Sequence, residues 1–354
     1  MLVEKSIISE KLKKVKGLAS AKIGDAQGVL IANGAIRARD KVMSVELKMP
    51  EAEGTSFVLP VKAIDYINSL PEGAVEITEE AERVRIKSRV GSAAFSTAPV
   101  DEFVAGVTYG VPDEVATISC DSELLFDAVN KVTYVCSEKS NKPVSAGVLF
   151  ENDGKKLDIV TCDGVRAAHT VLPLPGEKYR MIVPAATLKF ARTLGQAGQV
   201  AIYQDGKYAV IQSDEYIIRA NLISGEFIDF KKIFKEIGRT PTVEADYILS
   251  TMQRCLIVAD SDATISPTVL NFERDKIDIA VKTSSAEFNE SVRCEGSVEP
   301  LMIGCNARYI CDALKYCGDK RVTISAASSK HPIFVCDSSA EMLILPVMLK
   351  NKTD

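Results

Sequence analysis

The sequence predicts an α+β fold of three similar domains, each with two helices packed on antiparallel sheet. A strand, an amphipathic helix and a second strand follow one another in three places, residues 57–77, 181–202 and 301–324. The equivalent helix positions Ile64, Leu188 and Ile310 are separated by 124 and 122 residues, about one third of the 354-residue chain. A pattern recurring at this period indicates three copies of one structural unit.

The helix of each recurring unit has one apolar face, which we expect to pack on the sheet. These faces comprise Ile64, Ile67 and Leu70, then Leu188, Ala191 and Leu194, and finally Ile310, Ala313 and Tyr316. We expect the second helix to end at Gly195, because a residue that tolerates positive φ commonly lies just past the C-terminus of a helix.

Each domain also opens with a predicted helix. Ser9 is the expected N-cap of the first, and Asp121 or Ser122 that of the second, since such side chains accept hydrogen bonds from the first turn. The apolar residues of the third are expected to be Tyr247, Leu249, Met252, Leu256 and Ile257. Alternating segments broken by turn-forming pairs follow each opening helix and predict antiparallel hairpins.

The three domains are expected to cover residues 1–112, 113–236 and 237–354. Polar, proline-containing stretches at residues 112–114 and 235–241 are suited to linkers at these boundaries.

The composition is that of a soluble globular protein, with 46% apolar and 26% charged residues. No stretch approaches the roughly 20 apolar residues that span a bilayer, and the N-terminus lacks the apolar run of a signal peptide. We therefore expect a cytoplasmic protein. The nine cysteines form no C-x-x-C pair, so we expect buried thiols in a reducing compartment, with no metal site.

No nucleotide-binding or metalloprotease motif occurs in the sequence. The most conspicuous polar cluster runs from Asp163 to Arg166, and we interpret it as a hairpin turn whose arginine pairs with a nearby carboxylate. With two histidines in the chain and no nucleophile–base pair, the sequence predicts a binding scaffold, without catalytic residues or cofactor.

Basic residues cluster on the predicted helices although the formal net charge of the chain is −5. Any one of them is more simply explained as a solubilising side chain. Together they suggest one surface that attracts phosphates without reading base sequence. The set comprises Lys11, Lys13, Lys14, Lys16, Lys131, Lys189, Arg192, Arg254, Arg308 and Lys315.

Four segments, in this order and spacing, resemble the bacterial DNA polymerase III beta subunit, the sliding clamp. They are TCDGVRAAHT at 161–170, MIVPAATLKFAR at 181–192, SGEFIDFKKIF at 224–234 and LILPVML at 343–349. The resemblance covers essentially the whole chain. It implies three DNA-clamp domains per chain and a head-to-tail homodimer that closes a six-domain ring around double-stranded DNA. Such a ring is opened by a clamp loader and tethers the replicative polymerase as a processivity factor.

The resemblance also implies site residues. Phe103 matches an interface aromatic, and Ile257 and Val258 match the apolar residues that face it. Lys139 and Lys142 match a loop near DNA and join the helix residues Lys11, Lys13, Lys14, Lys16, Arg192, Arg254 and Arg308. The pocket for peptides of the polymerase, clamp loader and repair proteins matches Cys162, Asp163, Gly164, Val165, Arg166, Ala167, Leu343, Leu345, Pro346, Val347 and Met348.

The chain departs from the family pattern in and near this pocket. Val165 stands where many members have histidine, and Ser145 and Ala167 stand where leucine is frequent. We therefore expect a different preferred peptide. Two alternatives remain open from the residues: an enzyme using Asp163 and Arg166, and a peptide-binding adaptor that forms no ring.

Overall fold

The structure is a computed structural model, and it describes residues 1–20, 27–104, 118–195, 198–234, 241–260, 262–263, 266–296 and 299–349. The side chains of Glu102 and Val104 are outside this description. The two expected linkers lie outside the described residues apart from Pro241, so the domain boundaries remain predictions.

One order of elements, a strand, a helix, four strands, a second helix and three strands, occurs three times in the described chain. The first copy comprises β1 (Leu2–Glu4), α1 (Lys5–Ala19), β2 (Gly28–Ala32), β3 (Ala35–Arg39), β4 (Met43–Lys48), β5 (Ser56–Pro60), α2 (Val61–Ser69), β6 (Ala74–Glu80), β7 (Arg83–Ser88) and β8 (Gly91–Ser96), with the short α3 (Val100–Val104) after it. The second comprises β9 (Ile118–Asp121), α4 (Ser122–Thr133), β10 (Gly147–Asn152), β11 (Leu157–Cys162), β12 (Arg166–Leu172), β13 (Tyr179–Pro184), α5 (Ala185–Leu194), β14 (Gln199–Asp205), β15 (Tyr208–Ser213) and β16 (Tyr216–Asn221), followed by α6 (Phe230–Ile233). The third comprises β17 (Thr242–Glu244), α7 (Ala245–Val258), β18 (Thr268–Phe272), β19 (Lys276–Lys282), β20 (Glu287–Arg293), β21 (Leu301–Cys305), α8 (Ala307–Leu314), β22 (Arg321–Ala326), β23 (Ile333–Cys336) and β24 (Ala340–Ile344).

Each repeat contributes its strands to two antiparallel four-strand groups, and neighbouring repeats share a sheet. The strand order β5-β2-β3-β4-β16-β15-β14-β9 joins the first repeat to the second through β4 and β16. The order β13-β10-β11-β12-β24-β23-β22-β17 joins the second to the third through β12 and β24. The remaining groups, β1-β6-β7-β8 and β20-β19-β18-β21, are four-stranded. Within the described residues, β8 and β20 therefore end their sheets.

The chain packs as two compact units, each containing one eight-stranded and one four-stranded sheet. The first unit holds residues 1–126 and 186–222, and the second holds 127–185 and 223–354. Each unit thus contains part of the middle repeat.

The helices of the recurring units confirm most of the predicted apolar faces. Ile64, Ile67 and Leu70 are buried, as are Leu188, Ala191 and Leu194, and Ile310 and Ala313. Tyr316 is different, because α8 ends at Leu314. Its ring instead stacks on that of Tyr134, with 4.6 Å between centroids.

The opening helix of the first repeat differs from the sequence prediction, whereas that of the second agrees with it. α1 begins at Lys5, directly after β1, so Ser9 is not its N-cap. Ser9 is buried within the helix, and its hydroxyl donates to Asn68 Oδ1 at 2.6 Å. In α4 the predicted cap is confirmed, since Asp121 Oδ1 accepts from the N–H groups of Glu123 and Leu124.

Of the apolar residues expected along α7, Met252 alone is fully buried. The buried residues of α7 are Ala245, Ile248, Thr251, Met252 and Cys255. Tyr247 and Ile257 are exposed, and Leu249 and Leu256 are half-buried. Ala245, Ile248, Met252 and Cys255 are spaced three or four residues apart and so share one face of the helix. The large side chains of Tyr247, Leu249 and Leu256 are each one position away from this buried face.

A turn geometry recurs where two repeats join. Asp40 Oδ1 accepts from the N–H groups of Val42 and Met43, and Asn221 donates its N–H to Val42 O. At the second junction, Asp163 Oδ1 accepts from Val165 and Arg166, and Leu345 donates to Val165 O. Both valines are 44% exposed. Among the described helices, none combines the length and apolarity needed to cross a bilayer.

The segment after β24 lies on the third repeat through Gly304. Val347 donates its N–H to Gly304 O at 2.8 Å. A Cβ at Gly304 would lie 2.3 Å from Val347 O, closer than real atoms approach. Residues 345–348 can lie this close to β21 because residue 304 has no side chain.

We expect Gly304→Ala to destabilise the protein by about 1–3 kcal/mol, because the methyl group must displace the backbone of Val347. Urea unfolding followed by circular dichroism measures the change. Gly17→Ala is the matched control, since nothing lies within 4 Å of its added Cβ and alanine favours a helix by about 1 kcal/mol over glycine. Equal effects of the two substitutions would contradict this account of residues 345–348.

Candidate functional site

The pairing of β12 with β24 brings the two halves of the predicted pocket together. Arg166 lies opposite Ile344 and Ala167 opposite Leu343 in the antiparallel register. Leu345 continues the contact by donating its N–H to Val165 O at 2.8 Å. Residues more than 170 positions apart in sequence thus become neighbours at one end of a strand pair.

The turn before β12 is fixed by its own aspartate. Asp163 Oδ1 accepts from the N–H groups of Val165 and Arg166 at 3.0 and 2.9 Å. Gly164 has φ +99°, a conformation that favours glycine. The turn therefore projects Val165 outward.

Arg166 is held by charge and by aromatic rings. Its Nε donates to Asp163 Oδ2 and its Nη1 to Asp312 Oδ2, both at 3.0 Å. The guanidinium lies 4.4 Å from the ring centroid of Tyr309. Burial alone would lower the pKa of Arg166, but the two carboxylates hold the pKa above its ordinary value. The pair with Asp163 is the interaction predicted from the sequence.

Three residues of this arrangement were missed by the sequence analysis, namely Tyr134, Tyr309 and Asp312. Burial raises the pKa of Tyr134, whose ring stacks on Tyr316 and lies 5.6 Å from the guanidinium of Arg166. Tyr309, Asp312 and Tyr316 are spaced i, i+3, i+7, which places them on one side of a helix. This spacing was the feature of the sequence that could have predicted that they act together.

An apolar cluster lies beneath the strand pair. Ala167 and Leu343 are buried with Phe227 and Phe334, and Cys162 packs against the cluster while remaining partly exposed. Burial raises the pKa of the Cys162 thiol, so the side chain stays uncharged. The remaining members are Leu149, Val160, Ile182, Phe230, Phe234 and Cys336, with Val144, Ile223, Ile228 and Ile233 packed at the edge.

The predicted pocket residues therefore form an exposed rim over a buried apolar floor. Gly164, Val165, Leu345 and Met348 are exposed. Cys162, Asp163, Arg166, Pro346 and Val347 are half-buried, and Ala167 and Leu343 are buried. Ser145 is also buried. Exposed apolar side chains with few fixed polar groups are suited to the hydrophobic anchors of a short peptide.

The basic residues of the first unit gather around α1. Lys14 Nζ donates to Leu194 O at 3.2 Å, which brings α1 to the C-terminal end of α5 and its exposed Arg192. Acidic neighbours lie near some of the lysines, Glu215 3.6 Å from Lys11 and Asp65 near Lys16. Lys13 is exposed.

In the second unit, the predicted DNA-binding residues differ in their surroundings. Arg254 pairs with Glu290 on β20. Arg308 is exposed in the first turn of α8, and Lys139 and Lys142 are exposed before β10. Arg254 therefore has a structural partner, whereas the other three present their charge to solvent.

The predicted interface residues are not equally available to a partner. Phe103 is 4% exposed, packs with Leu30 and Val58, and carries the Arg39 guanidinium 5.6 Å from its ring centroid. Its own unit thus covers Phe103, and it offers almost no surface. Ile257, by contrast, is 83% exposed, and Val258 is half-buried.

The nine cysteines, all within the described residues, form no disulfide, and six are buried. No group of three or more His, Cys, Asp or Glu side chains suited to a metal ion occurs in the described part of the chain.

A β-α-β4-α-β3 unit in triplicate, with sheets shared between repeats and basic helices, defines the DNA-clamp class of proteins. Two family models match the sequence: DNA polymerase III beta subunit, central domain, over residues 119–229, and the C-terminal domain of the same subunit over residues 233–348. The chain belongs to the DNA polymerase III beta subunit family, and its function is that of a DNA sliding clamp that tethers the replicative polymerase.

Individual relatives are distant in sequence and similar in fold. The "Beta sliding clamp" of Salmonella typhimurium is 24% identical over 341 residues, covering 92% of this chain and 90% of the relative. The crystal structure of the DNA polymerase III subunit beta from Pseudomonas aeruginosa has a TM-score of 0.89 at 19% identity and covers 99% of this chain and 100% of the other. A Pseudomonas aeruginosa sliding clamp bound to griselimycin has a TM-score of 0.87 at 20% identity, with 99% of both chains covered.

We expect Arg166→Ala to destabilise the protein by about 3 kcal/mol, because two partly buried carboxylates lose their cation. Thermal and urea unfolding measure the change. Lys282→Ala removes an ion pair whose two side chains are exposed, and it is expected to cost less than about 1 kcal/mol. A similar small cost for both variants would show that Arg166 does not hold the turn.

Proposed function

We propose that two copies of the chain associate head to tail and close a ring around duplex DNA. The observation that carries this proposal is the pattern of sheet edges. Each repeat is joined to the next by strand pairing, β4 with β16 and β12 with β24. The equivalents of these joining strands in the two remaining sheets are β8 of the first repeat and β20 of the third, and each of them lies at a sheet edge. An open strand edge is a template for pairing with another chain. Pairing β8 of one copy with β20 of another is a heterologous contact. Such contacts produce a closed ring when the rotation that relates the two copies returns to the starting point.

DNA is held in such a ring by enclosure. The chain has a formal net charge of −5, so strong electrostatic wrapping of the duplex is unfavourable. Exposed Lys13, Arg192, Arg308, Lys139 and Lys142 supply phosphate contacts that carry no sequence information. The remaining predicted contacts are Lys11, Lys14, Lys16 and Arg254. Weak contacts of this kind let the ring slide.

The rim of Val165, Leu345 and Met348 over the apolar cluster is the proposed docking site for partner peptides. A short peptide with aliphatic or aromatic anchors gains free energy by covering these side chains. The clamp structure bound to griselimycin supports small-ligand recognition by this fold. The proposed partners are the replicative polymerase, the clamp loader and repair proteins, all competing for one site.

We further propose that the chain catalyses no reaction itself and acts at the nucleoid in the cytoplasm. Asp163 and Arg166, the residues of the enzyme alternative, are engaged in fixing the turn. Each carries out a structural task that leaves little freedom for proton transfer. The non-ring adaptor alternative would keep the peptide site and lack the paired edges.

We expect the unaltered chain to have twice its monomer mass in size-exclusion chromatography with light scattering at micromolar concentration. Ile257→Asp should weaken this association by at least about tenfold, since an unpaired charge at an apolar contact is costly. Met302→Asp is the control, because Met302 is also exposed but lies on β21, away from the proposed edge. After loading, the dimer should remain on circular DNA and leave when the DNA is cut. A monomer under all conditions would rule out the ring.

We expect Leu345→Ala combined with Met348→Ala to weaken binding of a fluorescent peptide from the cognate polymerase by about tenfold or more, because two anchoring contacts are lost. Fluorescence anisotropy measures the affinity. Val42→Ala is the control. It alters the exposed valine at the first junction, which is equivalent to Val165, and should leave the peptide affinity unchanged. Light scattering should show an intact dimer in both variants. Unchanged peptide affinity in the double variant would refute the pocket assignment.

A further inference from the structure

His169 on β12 has a carboxylate oxygen against each of its ring nitrogens. Nε2 lies 2.9 Å from Asp158 Oδ1 on β11. Nδ1 lies 3.1 Å from Glu341 Oε2 on β24. The imidazole thus connects the second repeat to the third at the same strand pair that forms the pocket.

Only the protonated ring satisfies both contacts. A neutral imidazole has one N–H and one bare nitrogen, and the bare nitrogen would face a carboxylate lone pair. Asp158 is fully buried and His169 nearly so, so water cannot readily replace the bond between these two residues. The geometry therefore calls for an imidazolium between two carboxylates.

Two aromatic rings cover this imidazole. The ring centroids of Phe230 and Phe234 lie 5.5 and 5.3 Å from that of His169. Both phenylalanines belong to the apolar cluster that contains Ala167 and Leu343 of the pocket. Both distances fall within the about 6 Å range of attraction between a cation and an aromatic ring, an attraction that a neutral imidazole lacks. The charge of His169 thus acts on residues 223–234 as well as on β24.

We propose that His169 is a proton-dependent latch that, when protonated, holds β24 and the segment 223–234 in place under the pocket. Deprotonation breaks one of the two bridges and removes the attraction to the phenylalanine rings. The segment and the end of β24 then open more often. The link to partner binding rests on the proposed function, whereas the latch itself does not.

Three cations lie near the imidazole, and each of them pairs with a carboxylate. Immediately before β11, Lys156 Nζ pairs with Asp158 Oδ1 at 3.0 Å. From α6, Lys231 pairs with Glu151 of β10 at 2.6 Å, and Arg180 of β13 lies 3.3 Å from the same Glu151. Lys156 and the imidazole share Asp158 Oδ1, whereas Lys231 and Arg180 both pair with Glu151. Asp158 and Glu341 are the two carboxylates bonded to the imidazole.

The pH dependence follows from the two pKa directions. Burial lowers the pKa of His169, but the bonds to Asp158 and Glu341 raise it above its ordinary value overall. Burial raises the pKa of Asp158, yet its bonds to His169 and Lys156 lower it overall, so it stays ionised. The latch is therefore complete below the ordinary histidine value and is lost as pH rises through the raised pKa of His169.

Histidine-selective NMR and hydrogen exchange test the latch in the full-length chain. The chain has two histidines, His169 and His331, so His331→Gln leaves one imidazole signal to titrate. We expect its midpoint above about 6.5, the ordinary histidine value. Amide exchange in residues 223–234, corrected for the intrinsic pH effect, should accelerate by about tenfold or more as the pH rises through that midpoint, because a hydrogen bond between charged groups is lost.

Two variants identify the groups responsible. His169→Gln should abolish the pH dependence of exchange in residues 223–234, and Glu341→Gln should lower the titration midpoint while preserving the fold. A pH-independent exchange rate in the unaltered chain, or the same dependence in His169→Gln, would overturn the proposal. Because exchange is measured without peptide, a wrong pocket assignment would leave these results unchanged and would appear only in the Leu345 and Met348 variant.

Discussion

Backbone pairing between strands of different repeats is the interaction on which the rest of the structure depends. The bonds between β12 and β24 bring Ala167 beside Leu343 and place Leu345 next to Val165. Because side chains alternate between sheet faces, a one-residue slip would turn this apolar set to the opposite face. The same pairing leaves β8 and β20 as sheet edges in the described chain. The register of β12 and β24 thus fixes which side chains of residues 162–167 and 343–345 meet.

Local periodicity predicted the repeated helices well because their apolar faces are written in neighbouring residues. It failed where a small residue is buried, as Cys255 is in α7, because large apolar residues were given more weight than small ones in choosing the buried face. It also failed at Ser9, because α1 starts from a three-residue strand too short to show a pattern. Pairing between repeats could not be read locally at all, since it joins residues from distant parts of the chain.

The candidate site divides in the same way. The Asp163 and Arg166 pair was predictable because its members are three residues apart and share a tight turn. The contacts of Arg166 with Asp312 and Tyr309 come from another repeat and required the fold. The pocket residues came from family resemblance, which carries long-range information that the isolated sequence lacks. Position matching alone did not reveal that Phe103 is covered by Arg39.

The guanidinium of Arg166 is a poor target for an acidic inhibitor group, because its own chain already supplies its partners. Its guanidinium already has two carboxylates and an aromatic ring as neighbours. An acidic group on a drug-like molecule would compete with partners that are covalently fixed nearby and would gain little affinity from this cation. If the proposed peptide site is correct, neutral, lipophilic compounds that cover the exposed Val165 and Leu345 are the better starting point.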